Sequence, residues 1–214
     1  MKLFLDSADI NEISEISGLG LLDGVTTNPT LISKSKKKFK ELIKEICEII
    51  PGPVAAETLS NDYDSMLRES LELAELGENI VIKVPMTIPG IKLISELNHR
   101  NIQTNVTLCF SASQAIIAAK AGASFVSVFI GRIDDIGYDG VELLREIRVI
   151  FDNYDIKTEL LTDSIQNLYQ VKQAAIAGSD AITISHNLFM QLFKNPLTDI
   201  GLQKYLEDSK IIVF

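Results

Sequence analysis

A lysine interrupts an otherwise apolar run, IVIKVP, from Ile80 to Pro85. If the run is a strand, its side chains alternate between two faces, and Lys83 shares a face with Val81 and Pro85. An ammonium removed from water loses its preference for the charged form, and the free amine is a nucleophile toward carbonyl carbon. A purely structural lysine would instead need a carboxylate beside it, with Glu57 and Asp6 as candidates. Other polar residues stand late in short β-branched runs. Asp6 closes KLFLDS, where a carboxylate can move a proton to or from a substrate hydroxyl or can cap a helix. Thr26 and Asn28 end GVTTN, and Pro29 fixes the turn so that the Asn28 amide can aim at a hydroxyl. Glu57 in VAAET and Thr107 in IQTNVTL offer the acceptor and donor needed to hold one water between them, and Asn105 precedes Thr107 by two. Ser127 and Phe129 lie in SFVSVFIG, followed by Arg132. Its planar fork suits a phosphate oxygen pair or a surface ion pair with Asp134 or Asp135. Asp163 and Ser164 follow KTELLT.

For these groups to meet, the strand ends must share one rim. The runs beginning at Lys2, Gly24, Val54, Ile80, Ile102, Ser124 and Lys157, with AITIS from Ala181, make eight. Segments with apolar residues three and four apart separate them, such as Phe39, Leu42, Ile43 and Ile46, or Leu67, Leu71 and Leu73 to Leu76. Asp9 opens the first helix, with Glu12 placed for a capping box, and Asp62 and Ser111 stand at two further helix starts. Eight βα units in series predict a single parallel α/β domain over residues 1–214, a (β/α)8 barrel of the TIM type. In that fold the reactive groups gather at the C-terminal ends of the strands. The barrel closes before NPLTDIGLQKYLEDS, so an extra C-terminal helix is expected from about residue 195. Its Leu197, Ile200, Leu202, Tyr205 and Leu206 must pack on their own barrel or on a neighbouring subunit.

Composition sets outer bounds. At 214 residues the chain can bury one sizeable core, and 46% hydrophobic with 23% charged residues fits a folded protein and not a disordered one. The net charge of -9, with lysines clustered only at Lys34, Lys36, Lys37, Lys38 and Lys40, argues against nucleic-acid binding. That cluster reads as the solvated start of a helix. Cys47 and Cys109 are expected as reduced thiols. No apolar stretch suggests a signal peptide or membrane span, so a soluble cytoplasmic protein is expected. His99 and His186 form no metal constellation with the cysteines, and no P-loop or dinucleotide fingerprint occurs. No cofactor or metal is implied.

With these residues in place, the chain resembles the small transaldolase family, which includes the fructose 6-phosphate aldolases. LDSAD from Leu5, DGVTTNPTLI from Asp23, IVIKVPMT from Ile80, TNVTLCFSASQA from Thr104, AGASFVSVFIGRIDDIGYDG from Ala121 and NPLTDIGL from Asn195 carry the likeness nearly end to end. The resemblance implies that Lys83 is a Schiff-base lysine, Asp6 the general acid/base, and Glu57 with Thr107 the pair holding a catalytic water. It implies that Thr26 and Asn28 contact the dihydroxyacetone portion of the substrate, with Asn105 and Phe129 also at the substrate. Ser127 and Arg132, with Ser164, would bind the phosphate. Sugar phosphates are the implied substrates, and a homo-oligomer, pentameric or decameric, the implied assembly. Glu57 and Phe129 stand where the aldolases typically carry Gln and Tyr, which favours transaldolase.

TDSIQN departs from the pattern, because the family usually shows a small residue, Ser, an apolar residue and Arg where this chain has Asp163, Ser164, Ile165 and Gln166. Ser185 and His186 after the eighth strand are also atypical. Two alternatives follow: an aldolase-like enzyme acting on a ketose without the distal phosphate, and an inactive sugar-binding or assembly-forming relative.

Overall fold

The eight apolar runs form eight parallel strands closed into a barrel in sequence order, β1 to β8. They are β1 (Lys2–Asp6), β2 (Gly24–Thr26), β3 (Val54–Glu57), β4 (Ile80–Pro85), β5 (Thr104–Cys109), β6 (Phe125–Phe129), β7 (Glu159–Asp163) and β8 (Ala181–Ile184). In this computed structural model, which describes residues 1–212, each connection runs through helix. The helices are α1 (Ile10–Ser17), α2 (Pro29–Ile32), α3 (Phe39–Ile49), α4 (Tyr63–Ala74), α5 (Ile88–His99), α6 (Ala112–Lys120), α7 (Ile130–Asp135), α8 (Gly140–Asn153), α9 (Leu168–Ile176), α10 (His186–Gln191) and α11 (Pro196–Ser209). Fold class and extra C-terminal helix agree with the sequence expectation.

Strand alternation divides the apolar residues between two cores. Outward residues such as Val25, Val54, Ile82, Val106 and Val126 pack with the helices in the larger one. Phe4, Ala55, Val81, Phe125, Leu161 and Ala181 form a separate inner cluster, a solid floor across the lumen. Phe4 and Phe125 meet edge to face at 6.0 Å between ring centres. Gly24 makes room for Phe4, since a Cβ there would lie 2.9 Å from the ring and 2.7 Å from the Pro53 carbonyl. Below the floor Lys2 Nζ donates to both carboxylate oxygens of Glu159, at 2.7 and 2.8 Å. That pair is half-exposed and contributes at most about 1 kcal/mol.

Some local expectations change. Asp9 caps α1 by accepting from the Asn11 and Glu12 amides, but the reciprocal half of a capping box is replaced by a relay. The Asp9 amide donates to Ser7 Oγ at 3.1 Å, and Ser7 Oγ donates to Glu12 at 2.5 Å. The buried stripe of α4 is Met66, Ser70 and Leu73, one position away from Leu67 and Leu71, which are only half-buried. Most of the lysine cluster lies in the turn before α3. Ser185 and His186 are accounted for structurally: Ser185 caps α10 and His186 Nε2 lies 2.9 Å from Glu15. Both cysteines are free, and burial pushes each thiol up to about 11.

The helix α11 has no buried residue; Leu197 is 77% exposed and Tyr205 73%. No helix among the described residues is long and apolar enough to cross a membrane.

If the inner floor is a distinct packing unit, Phe4→Ala costs about 3–5 kcal/mol, measured by urea unfolding followed by circular dichroism. A loss below about 1 kcal/mol would contradict that role.

Candidate active site

Register decides which side chains meet inside the barrel. Glu57 lies directly opposite Lys83, and Lys83 directly opposite Asn105, in a row across β3, β4 and β5. Phe129 lies opposite Asp163 across β6 and β7. The inward face therefore carries the floor first and polar residues above it. At the mouth is a cavity of about 430 Å³ lined by Asp6, Asn28, Glu57, Lys83, Thr107, Leu108, Phe129, Arg132, Asp163 and Ser164 among others.

Lys83 is 2% exposed. Its Nζ lies 3.4 Å from Glu57 Oε2 and donates to the Thr27 carbonyl at 3.3 Å. The partner foreseen for a structural lysine is thus present, but the contacts are long and few. A buried pair held for stability alone would need its remaining hydrogen-bonding capacity met; here the amine faces an open cavity.

Asp6 accepts a hydrogen bond from Thr26 Oγ1 at 2.9 Å. Because that proton is committed, Thr183 Oγ1 must donate to Thr26 Oγ1 in their 2.6 Å contact. Burial raises Asp6 from 3.8 to about 6, and the charge of Asp163 adds to the rise, while Lys83 and the Thr26 hydroxyl oppose it. Burial likewise raises Glu57, against the pull of Lys83. Asp163 is raised by burial as well, against Lys83, the Ser164 amide and Arg132. A carboxyl near 6 can both take and return a proton close to neutrality.

Thr107 stands beside an irregularity. Val106 pairs with Val126, but Cys109 pairs with Val128, so β5 carries an extra residue at this point, a bulge of the kind that re-aims side chains next to active sites. Leu108 there has φ of 58°, a conformation that costs a residue bearing a Cβ and that clusters at functional sites. Thr107 lines the cavity. Asn28 caps α2 through Oδ1, which accepts from the Leu31 amide at 2.9 Å. Its Nδ2 is left as the group available to the cavity.

Three of the predicted substrate contacts lie deep in the barrel. Thr26, Asn105 and Ser127 are buried and do not line the cavity. Thr26 supports Asp6, while Ser127 Oγ donates to Asn105 Oδ1 at 3.0 Å. They form a polar layer between the floor and the mouth. Arg132 makes no ion pair with Asp134 or Asp135 among the described residues. Asp134 instead accepts from Gln170 Nε2 at 2.6 Å and the Gly140 amide at 2.9 Å. The Arg132 guanidinium lies over the Phe129 ring, 4.9 Å from its centre, free to face a ligand. Sequence reasoning missed Thr183, whose only signal was its inward place in AITIS. It placed Asp163 among the polar strand ends and as a departure from the family pattern, but gave it no role.

Comparison with known proteins agrees with this geometry. The family model described as Transaldolase/Fructose-6-phosphate aldolase matches residues 3–211. A probable transaldolase of Leptospira biflexa is 53% identical over 210 residues, covering 98% of this chain and 98% of its own. One from a Chelativorans species is 54% identical over 208 residues, 97% of this chain and 96% of its own. One from Aquifex aeolicus is 52% identical over the same length, with the same coverage. Similarity of this extent, reaching from the first strand into the last helix, places the chain in the transaldolase/fructose-6-phosphate aldolase family.

Proposed function

We propose that the protein is a transaldolase that carries a dihydroxyacetone unit on Lys83 from a ketose phosphate donor to an aldose phosphate acceptor, in cytoplasmic pentose phosphate metabolism. The observation that carries this reading is the buried Lys83 amine facing the cavity between Glu57 and Asp6. Nζ adds to the C2 carbonyl of the donor, and the carbinolamine loses water to give a protonated imine. Asp6, as carboxylate, takes the proton of the C4 hydroxyl. The C3–C4 bond then breaks, releasing the shorter aldose phosphate and leaving its electron pair in an enamine on Lys83. An incoming aldehyde is attacked by C3 of the enamine, and Asp6 returns the proton to the new alkoxide. A water held by Glu57 and Thr107 serves formation and hydrolysis of the imine. Arg132 and Ser164, facing the same cavity, are the proposed anchors for the distal end of the sugar.

The exposed apolar residues of α11 support a homo-oligomer in which this helix packs on a neighbouring copy. A chain ending before Asn195 should then run as a smaller species in size-exclusion chromatography with light scattering; an unchanged assembly would argue against it.

Transfer of a three-carbon unit from fructose 6-phosphate to an aldose phosphate, followed by product chromatography, tests the activity. The parent should transfer and Lys83→Ala should not; equal rates in the two would refute the reading.

Asp6 must be ionised to begin cleavage, so kcat/KM should fall as pH drops through about 6 and level off above it. Stability runs the opposite way. A carboxyl whose folded value is raised stabilises most below 3.8 and loses that contribution as pH rises through about 6. Asp6→Asn keeps an acceptor for Thr26. It should therefore be more stable than the parent above pH 6, by at most about 3 kcal/mol, with the gap closing toward pH 4, while activity falls about 10²–10⁴-fold. Urea melts at pH 4 and 7.5 check this, and a less stable variant at pH 7.5 would contradict it.

A further inference from the structure

The mouth of the barrel holds more carboxyls than the proposed chemistry uses. Asp6 moves the hydroxyl proton and Glu57 serves the imine, whereas Asp163 on the same rim takes part in neither step. It is 5% exposed and lines the cavity. Its Oδ1 accepts from the Ser164 amide at 2.6 Å, and Oδ2 accepts no hydrogen bond from the described residues. Ser164 adopts φ of 61°, a strained turn that fixes the direction of the preceding carboxyl. Gly131 lets this turn approach: a Cβ there would lie 2.1 Å from the Ser164 carbonyl and 2.9 Å from both Ser164 Oγ and Gln166 Nε2. Asp163, Ser164 and Arg132 thus converge on one side of the mouth, with Gln166 Nε2 behind them beside Gly131.

The charged groups of this cavity are Asp6 on β1, Glu57 on β3, Lys83 on β4, Arg132 on α7 and Asp163 on β7. Three carboxyls stand against two cations, and Lys83 is consumed by the substrate carbonyl. A phosphate held by Arg132 and Ser164 has a carboxyl for a neighbour. A hydroxyl in the same place finds an acceptor in Asp163 Oδ2. A buried polar group aimed at a hydroxyl rewards the ligand that satisfies it.

Resting on the Schiff-base reading above, we infer that Asp163 is a specificity-determining residue for the same transfer. Its free oxygen accepts a hydrogen bond from a sugar hydroxyl, and the carboxyl reduces the advantage of a distal phosphate, so that uncharged ketoses also serve as donors.

The test compares kcat/KM for fructose 6-phosphate and for fructose, with one fixed acceptor, in the full-length parent, Asp163→Asn, Asp163→Ala and Gln166→Arg. Both donors use the same lysine chemistry, so effects on Asp6 cancel in the ratio. Asp163→Asn and Gln166→Arg should each raise the preference for the phosphorylated donor by about ten- to a hundredfold, the worth of one charge-assisted hydrogen bond. Asp163→Ala should raise it too, and should also lose turnover with fructose that Asp163→Asn retains. Thermal melts establish that each variant is folded. A parent that transfers from fructose 6-phosphate, with a ratio unmoved by Asp163→Asn, overturns this inference and leaves the transaldolase reading intact. A parent inactive with both donors overturns both.

Discussion

A closed barrel of parallel strands admits water only at its mouth, and every second side chain of every strand must point into that enclosed space. The lowest of these positions are filled by apolar residues, which need no hydration, and polar residues stand above them. On β4 the polar residue is Lys83, and its neighbours follow from the need to accommodate an amine there. Glu57 lies opposite it through strand register, the Thr27 carbonyl accepts from it, and the cavity opens above it. A solid floor of Phe4, Val81, Phe125 and Leu161 prevents the amine from finding water from below. Those walls confine both the amine and any carbonyl that reaches it to one small volume, which is what addition to a carbonyl requires.

The same confinement crowds carboxyls. Asp6, Glu57 and Asp163 are all raised above their ordinary range, and burial is the largest cause in each case. Thr26, itself supported by Thr183, offsets part of this at Asp6, while Asn105 and Ser127 satisfy one another in the same layer. These residues are too deep to line the cavity, yet they fix where its polar groups point. Stability is thereby given up at the mouth and recovered in the outer core and the floor, the division expected of a site built for proton transfer.

Much of this was legible in the sequence because it depends on local pattern. β-branched runs separated by helical periodicity marked all eight strands, and alternation within IVIKVP placed Lys83 inward. Asp9, Asp62 and Ser111 cap helices, as their types suggest. What was not legible depends on strands distant in the chain. Depth along the barrel is set by register, so the sequence could not say that Thr26, Asn105 and Ser127 are buried and outside the lining of the cavity. Thr183 has no meaning until β8 closes against β1 and brings it to Thr26. The bulge in β5 appears only when its pairing with β6 is known. Whether Arg132 pairs with Asp134 could not be read locally either, because Asp134 is committed to Gln170 and Gly140 only in the folded chain.

The central claim is that Lys83 bonds covalently to the substrate. Borohydride reduction in the presence of fructose 6-phosphate, followed by peptide mass spectrometry, tests it most directly, with Lys83→Ala as control. The account predicts a reduced three-carbon adduct on the peptide containing Lys83 and none in the variant. An unmodified Lys83 in protein that still turns over the sugar, or an adduct on another lysine, would contradict it.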